Sequence, residues 1–326
     1  MNPDERLDSE QSNRFPDLAR FGFVLSARDP IRLPEFAGSA WRGLLGHGLR
    51  RTACVTRQPT CTGCLLIHSC AYSLIFETPP PPGQDLTGFT AVSHPYALDI
   101  DPRAPRCYQP GEQLILGMTL IGPAITQAPY LIHAMTIAGQ LGFGREGNRF
   151  RVVALFQEAG IGSGDWVPVY EDDHAVFRPL PTPPLDLPPP PAQVRLSLLT
   201  PLRIKRDGRF VKPQDFTPRD LFRNLYNRLK RLALLNGGQP ETFDWATAAP
   251  LMDGLQLQAA KLCWHDWTRY SNRQETPMQL GGLMGELTLS GPALPTVWPA
   301  LWYGQWAHVG KATAFGLGNY RLGSAS

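Results

Sequence analysis

The chain has 326 residues, 43% of them hydrophobic and 18% charged, so it can bury ordinary cores and is not a disordered polymer. Its formal net charge of +3 is mildly basic and by itself says little about partners. No run of about 18 uncharged apolar residues occurs, which argues against a membrane span, and no apolar leader opens the sequence; a cytoplasmic, membrane-free protein with reduced thiols is expected.

Residues 1–19 are polar and partly acidic and read as a flexible tail. "FGFVLSA" (21–27) has strand composition. After Pro34, Phe36, Ala40 and Leu44 recur at helical spacing, which predicts a helix over 37–53. Four glycines in that helix, Gly38, Gly43, Gly46 and Gly48, suit either close packing on a neighbour or the approach of a bound backbone.

Cys54, Cys61, Cys64 and Cys70 follow, spaced C-x6-C-x2-C-x5-C, and open an insertion spanning 54–88. Four thiols so placed suit tetrahedral zinc in a closed, structural site. An iron–sulfur cluster uses the same ligand type, and His68 is an alternative ligand. Cys107 and Cys263 are isolated. A strand at 113–122, an amphipathic helix at 127–142 and a glycine-rich turn running into a strand over 142–160 complete a β-α-β-β-α-β pattern.

Eight prolines within residues 177–193 make a stiff, extended spacer. The expected organisation is an N-terminal domain over 20–178, a linker over 179–192 and a C-terminal domain over 193–326. The second domain begins with a strand over 192–204 and a turn at "KRDGR". A helix over 217–238 follows, with Thr217 as cap, Pro218 at its first position and Leu221, Leu225, Leu229 and Leu232 as its apolar stripe. Strands near 256–272 and 279–290 come next. Between Arg195 and Arg231 there are eleven Lys and Arg against three Asp, so Arg203, Lys205, Arg206, Arg219 and Arg223 are candidate phosphate contacts. Trp264, Trp267 and Tyr270 are candidate base-stacking rings or core residues.

Near the C-terminus, "HVGKATAFGLGNY" (308–320) places Gly310, Gly316 and Gly318 around Lys311. Such glycines allow backbone N–H groups to approach phosphate. Neither a Walker loop nor a dinucleotide fingerprint is present. The pattern G-K-x-x-x-F-G-x-G-x-Y resembles the glycine-rich loop of CRISPR-associated RAMP proteins. "AWRGLLGHGLRR" with the cysteines behind it, "YSLIFET", "LGFGREGNRFRV", "LLTPLRIKRDGR" and "RYSNRQETPMQLGGLMGELTLSG" agree in order, and the chain looks like a RAMP endoribonuclease that processes CRISPR precursor RNA.

That resemblance implies an α+β protein of two tandem ferredoxin-like domains, the first carrying the four-cysteine insertion, with a basic cleft for CRISPR repeat RNA. It implies metal-independent cleavage by 2′-hydroxyl attack, leaving a 2′,3′-cyclic phosphate and a 5′-hydroxyl, with the crRNA product retained. Other Cas effector subunits are further expected partners. His47 matches the family's helix histidine and is the expected base. Arg50 and Arg51, three and four residues on, share its face as phosphate clamps, and His308 and Lys311 are further catalytic candidates. A non-cleaving RNA-binding subunit of an effector complex is the alternative function on the same fold.

Overall fold

The computed structural model describes residues 15–81, 93–143, 147–271 and 276–324. They form two compact units. One comprises residues 16–185 with 235–237; the other comprises residue 15, 186–234 and 238–324. The division falls between Leu185 and Asp186, inside the proline-rich stretch. That stretch is tied to each unit separately. Gln157 exchanges hydrogen bonds with the Leu180 backbone at 3.2 and 3.0 Å, and the Trp298 indole N–H donates to the Pro188 carbonyl at 2.6 Å.

The N-terminal unit contains β1 (Leu18–Ala27), α1 (Gly38–Ala53), β2 (Tyr96–Asp99), β3 (Gln113–Ile121), α2 (Ala128–Leu141), β4 (Phe150–Glu158) and β5 (Trp166–Glu171). The sheet is antiparallel, in the order β2-β3-β1-β4-β5. This is the connectivity expected for a β-α-β-β-α-β unit, with one added edge strand. Phe21, Phe23 and Leu25 alternate along β1 and are buried. Arg20, on the other face, bridges three strands: its guanidinium lies 2.9 Å from Asp99 on β2 and 2.8 Å from Glu158 on β4. The buried Glu158 carboxylate also accepts the N–H groups of Gly162 and Gly164, which closes the β4–β5 turn.

Two of the glycines of α1 are explained by packing. A Cβ on Gly48 would lie 2.2 Å from the Ala134 carbonyl oxygen of α2, and one on Gly46 would lie 2.8 Å from the Phe76 ring. Gly43 has nothing within 4 Å. The tail expected over 1–19 is corrected for its last residues. β1 starts at Leu18, and Phe15 is buried against Tyr303 and Phe243, with ring centroids 4.7 and 5.0 Å away.

The C-terminal unit contains β6 (Gln193–Leu202), β7 (Lys205–Arg206), β8 (Arg209–Phe210), α3 (Pro218–Asn236), β9 (Gln256–His265), β10 (Gly282–Ser290), α4 (Leu294–Ala307) and β11 (Tyr320–Ser324). Its antiparallel sheet has the order β9-β10-β6-β11, the same connectivity again. β7 and β8 form a hairpin closed by Asp207 and Gly208, whose φ values of 49° and 81° match a two-residue primed turn. Leu221, Leu225, Leu229 and Leu232 of α3 are buried, as the stripe predicts. Thr217 starts that helix in a different way from a simple cap. Its N–H and hydroxyl both donate to Asp220 Oδ2, at 3.0 and 2.7 Å.

Candidate nucleic-acid interface

His47 and Arg51 lie one turn apart on the exposed face of α1, while Leu44, Leu45, Gly48 and Leu49 bury the opposite side. The imidazole therefore stands on a rigid support, open to solvent. Arg50 behaves differently from the phosphate clamp expected of it. Its Nη2 donates to the carbonyls of Gln58 and Pro59, and its guanidinium covers the Tyr72 ring at 5.5 Å. It staples the cysteine segment to the helix end.

Cys54, Cys61, Cys64 and Cys70 all line one small cavity, together with Thr56, Thr60, Ile67 and Tyr72. The Cys64 N–H donates to the Cys61 carbonyl at 3.1 Å, and Gly63 between them has φ +73°, so the tight turn is formed. The Thr56 hydroxyl lies 3.8 Å from Cys54 Sγ and 3.7 Å from Cys64 Sγ. Burial raises the Cys54 thiol, but the Thr56 hydroxyl, the N–H of Arg57 and the Arg50 charge outweigh it and hold it below its ordinary value. Burial, with the Glu77 carboxylate next, pushes the Cys61 thiol up. Among the described residues, no three His, Cys, Asp or Glu side chains are gathered closely enough to hold an ion. The expected zinc knuckle is thus present as a shared thiol cavity and not as a closed ligand sphere.

In the C-terminal unit the glycine-rich loop is largely buried. Gly310, Gly316 and Gly318 have φ of +89°, +90° and +72°, which side-chain-bearing residues rarely adopt. A Cβ at Gly310 would meet the Arg203 carbonyl oxygen at 2.5 Å, and one at Gly318 the Val309 carbonyl oxygen at 1.9 Å. The N–H groups of Lys311, Phe315, Gly316, Leu317 and Gly318 donate to the chain's own carbonyls. These three glycines let the loop fold tightly against the end of β6 and the residues that follow it.

His308, the other catalytic candidate of this loop, is 2% exposed, at φ +59°, and its carbonyl accepts from the buried Arg228. Lys311 stays half-exposed, and its ammonium pKa is lowered by burial and then by the charges of Arg231 and Lys205.

The remaining basic candidates divide into two groups. Arg206 grips Asp220, Arg219 lies 3.6 Å from Asp253, and Arg223 lies 3.9 Å from Asp207. Arg203 is buried, donating from Nη1 to the Gly281 carbonyl at 2.6 Å and stacking on Phe210. Lys205 lies 4.9 Å from the same ring, and Lys212 lies 3.6 Å from the Trp264 ring. Phe210 and Lys212 were not singled out by sequence. The signal for them was there in the primed-turn dipeptide Asp207-Gly208, which presents both flanks of the hairpin. Trp267 is buried in the core.

Residues 15–182 match a family model named AF_1859_N and described as an N-terminal domain. Residues 196–320 match the model described as CRISPR-associated endoribonuclease Cas6. No curated protein matches the chain. Among solved structures, the Cas6 (TTHB231) product complex aligns over 94% of this chain and 99% of its own, at TM-score 0.55 and 16% identity. The Thermus thermophilus Cas6 (TTHB231) aligns over 94% and 98%, at TM-score 0.52 and 15% identity. A partial Cas6-RT-Cas1–Cas2 complex aligns over 96% of this chain and 47% of its own, at TM-score 0.56 and 18% identity. These likenesses concern the fold. The AF_1859_N model spans just over half of the chain, which therefore belongs to that family, and the Cas6 endoribonuclease model matches most of the C-terminal unit beside it.

Proposed function

We propose that this protein cuts CRISPR precursor RNA within its repeats, using the 2′-hydroxyl next to the scissile phosphate as nucleophile. The observation that carries this reading is the exposure of His47 and Arg51 on one face of a helix whose other face is locked by packing. His47 takes the 2′-hydroxyl proton. The 2′-oxygen then bonds to phosphorus, and the planar fork of Arg51 stabilises the charge growing on the phosphoryl oxygens. The bond to the 5′-oxygen breaks, and that oxygen takes a proton from solvent. The ends are a 2′,3′-cyclic phosphate and a 5′-hydroxyl. No metal ion enters these steps. Lys311 holds an RNA phosphate from the C-terminal unit.

Substituting 2′-deoxyribose at the scissile nucleotide tests the chemistry directly. Cleavage should cease while the modified RNA still binds, and the normal product should resist phosphatase until its cyclic phosphate is opened. Cleavage of the deoxy substrate at the same bond would contradict the proposed nucleophile.

The four-cysteine cavity is read as a structural zinc site. Four soft thiols around one cavity, with N–H groups and a hydroxyl directed at sulfur, are the donor set that zinc favours. Bound zinc would crosslink the segment that follows α1 through Cys54, Cys61, Cys64 and Cys70. Elemental analysis should find about one zinc per chain, and Cys61→Ser/Cys64→Ser should lose it and melt lower. Wild-type protein purified without zinc, or a variant that melts with zinc-loaded wild type, would refute this reading.

A further inference from the structure

The cations of the C-terminal unit are sorted by their neighbours. Arg206, Arg219 and Arg223, on the α3 side, each face an aspartate. Lys205, Lys212 and Lys311 make no ion pair among the described residues, and two of them lie over aromatic rings. The rings are Phe210, on the hairpin, and Trp264, on the edge strand β9, with centroids 6.4 Å apart and planes inclined by 59°. Neither is part of the buried core. The strip continues to the glycine-rich loop, because the Lys311 N–H donates to the Arg203 carbonyl at 2.8 Å, and the Arg203 guanidinium lies 4.5 Å from the Phe210 ring.

We infer that Phe210 and Trp264 form a stacking platform for two unpaired RNA bases, with Lys205, Lys212 and Lys311 holding the phosphates beside them. The inference rests on the RNA-cleaving reading above and adds a single-strand subsite to it. Unpaired cations alternating with partly exposed rings are what a polyanion with π-faces requires. Lys212 and Lys205 are lids on flexible stems. An exposed cation over a ring is held by only about two- to fivefold, whereas a base stacked on the same ring gains roughly tenfold in affinity. A base therefore displaces the lid, and the freed ammonium meets the phosphate that arrives with it. The hairpin supplies the rigidity, since its two turn residues already hold the conformation that matches strand twist.

The test measures binding of a fluorescein-labelled short oligouridylate and, separately, of the repeat hairpin stripped of its flanks. Phe210→Leu/Trp264→Leu keeps apolar volume and removes the stacking faces. It should weaken oligouridylate binding roughly tenfold or more, leave the salt dependence unchanged, and spare the hairpin. Lys205→Ala and Lys212→Ala should each flatten the salt dependence for oligouridylate, by roughly 0.7 in log–log slope. Wild-type affinity for oligouridylate in the Leu variant would overturn the inference. So would equal losses for both RNAs, which would mark the rings as structural or as a protein contact. A second readout needs no variant. Oligouridylate carrying 4-thiouridine should crosslink to peptides holding Phe210 or Trp264, and crosslinks only elsewhere would overturn the platform. Absence of repeat cleavage by the wild-type protein is a separate result and would sink the nuclease reading instead.

Discussion

At the scale of single residues, this chain pairs some charges to hold elements together and leaves others open to solvent. Asp29 shows the first case. Its carboxylate receives the Arg149 backbone N–H at 3.0 Å, Nε at 2.8 Å and Nη2 at 3.1 Å, joining the end of β1 to the start of β4. The Arg149 side-chain hydrogen bonds lead in lowering the Asp29 pKa to about 2. A carboxyl depressed in the folded state stabilises above its unfolded value and loses that contribution as pH falls through the folded value. Asp29→Asn should therefore melt below wild type near neutrality, with the difference closing between about pH 4 and pH 2. Thermal melts across that range check it, and a gap that persists at pH 2 would contradict it. His47 and Arg51 show the second case, with exposed side chains on a fixed backbone. Arg50, between them in sequence, shows why neighbours along a helix need not share a role, since a carbonyl pair in the next loop captures its guanidinium.

At the scale of elements, α1 is the structural centre of the nuclease reading, and its glycines decide how it sits. Gly48 has no room for a methyl group beside Ala134, whereas Gly43 has open space. Helix propensity favours Ala over Gly by about 1 kcal/mol at both positions. Gly43→Ala should therefore stabilise by up to about 1 kcal/mol. Gly48→Ala should destabilise, by about 1–3 kcal/mol, because α1 must shift off α2. Denaturant titrations of the two variants check this, and a stabilised Gly48→Ala would show that the α1–α2 contact has slack. Periodicity and turn signals made α1, α2, α3 and the strands β1, β3, β4, β6 and β10 legible to within a few residues, whereas β2, β5 and β11 were not expected. The element α4 was not legible. Trp298, Leu301, Tyr303 and Trp306 are buried on all sides, so no apolar stripe marks it, and Pro299 lies inside it. The glycine-rich loop was visible as a motif, but its tight packing was not, because sequence shows where glycine stands and not which carbonyl crowds it.

At the scale of the whole molecule, two units repeat one connectivity with little shared sequence, and each carries candidate residues of its own. The N-terminal unit offers an imidazole and a guanidinium from a helix. The C-terminal unit offers lysines and rings from a hairpin and an edge strand. The resemblance to Cas6-type proteins was legible from the order of motifs along the chain, and the Cas6 model matches residues 196–320. Which cations of the C-terminal unit are paired was not legible, because ion pairs such as Arg219–Asp253 and Lys230–Asp244 join residues apart in sequence, while Lys205, Lys212 and Lys311 make none among the described residues. No helix among the described residues is long and apolar enough to cross a membrane.

The central claim is that an exposed helix imidazole performs metal-independent cleavage of repeat RNA. Its most direct test incubates wild-type protein and His47→Ala with repeat RNA from the protein's own locus, in excess EDTA, and resolves the products on a denaturing gel. The account predicts one cut per repeat by the wild type and a loss of at least about a hundredfold in rate in the variant, with RNA binding kept. Equal cleavage by both proteins, or wild-type binding without any cut, would contradict it.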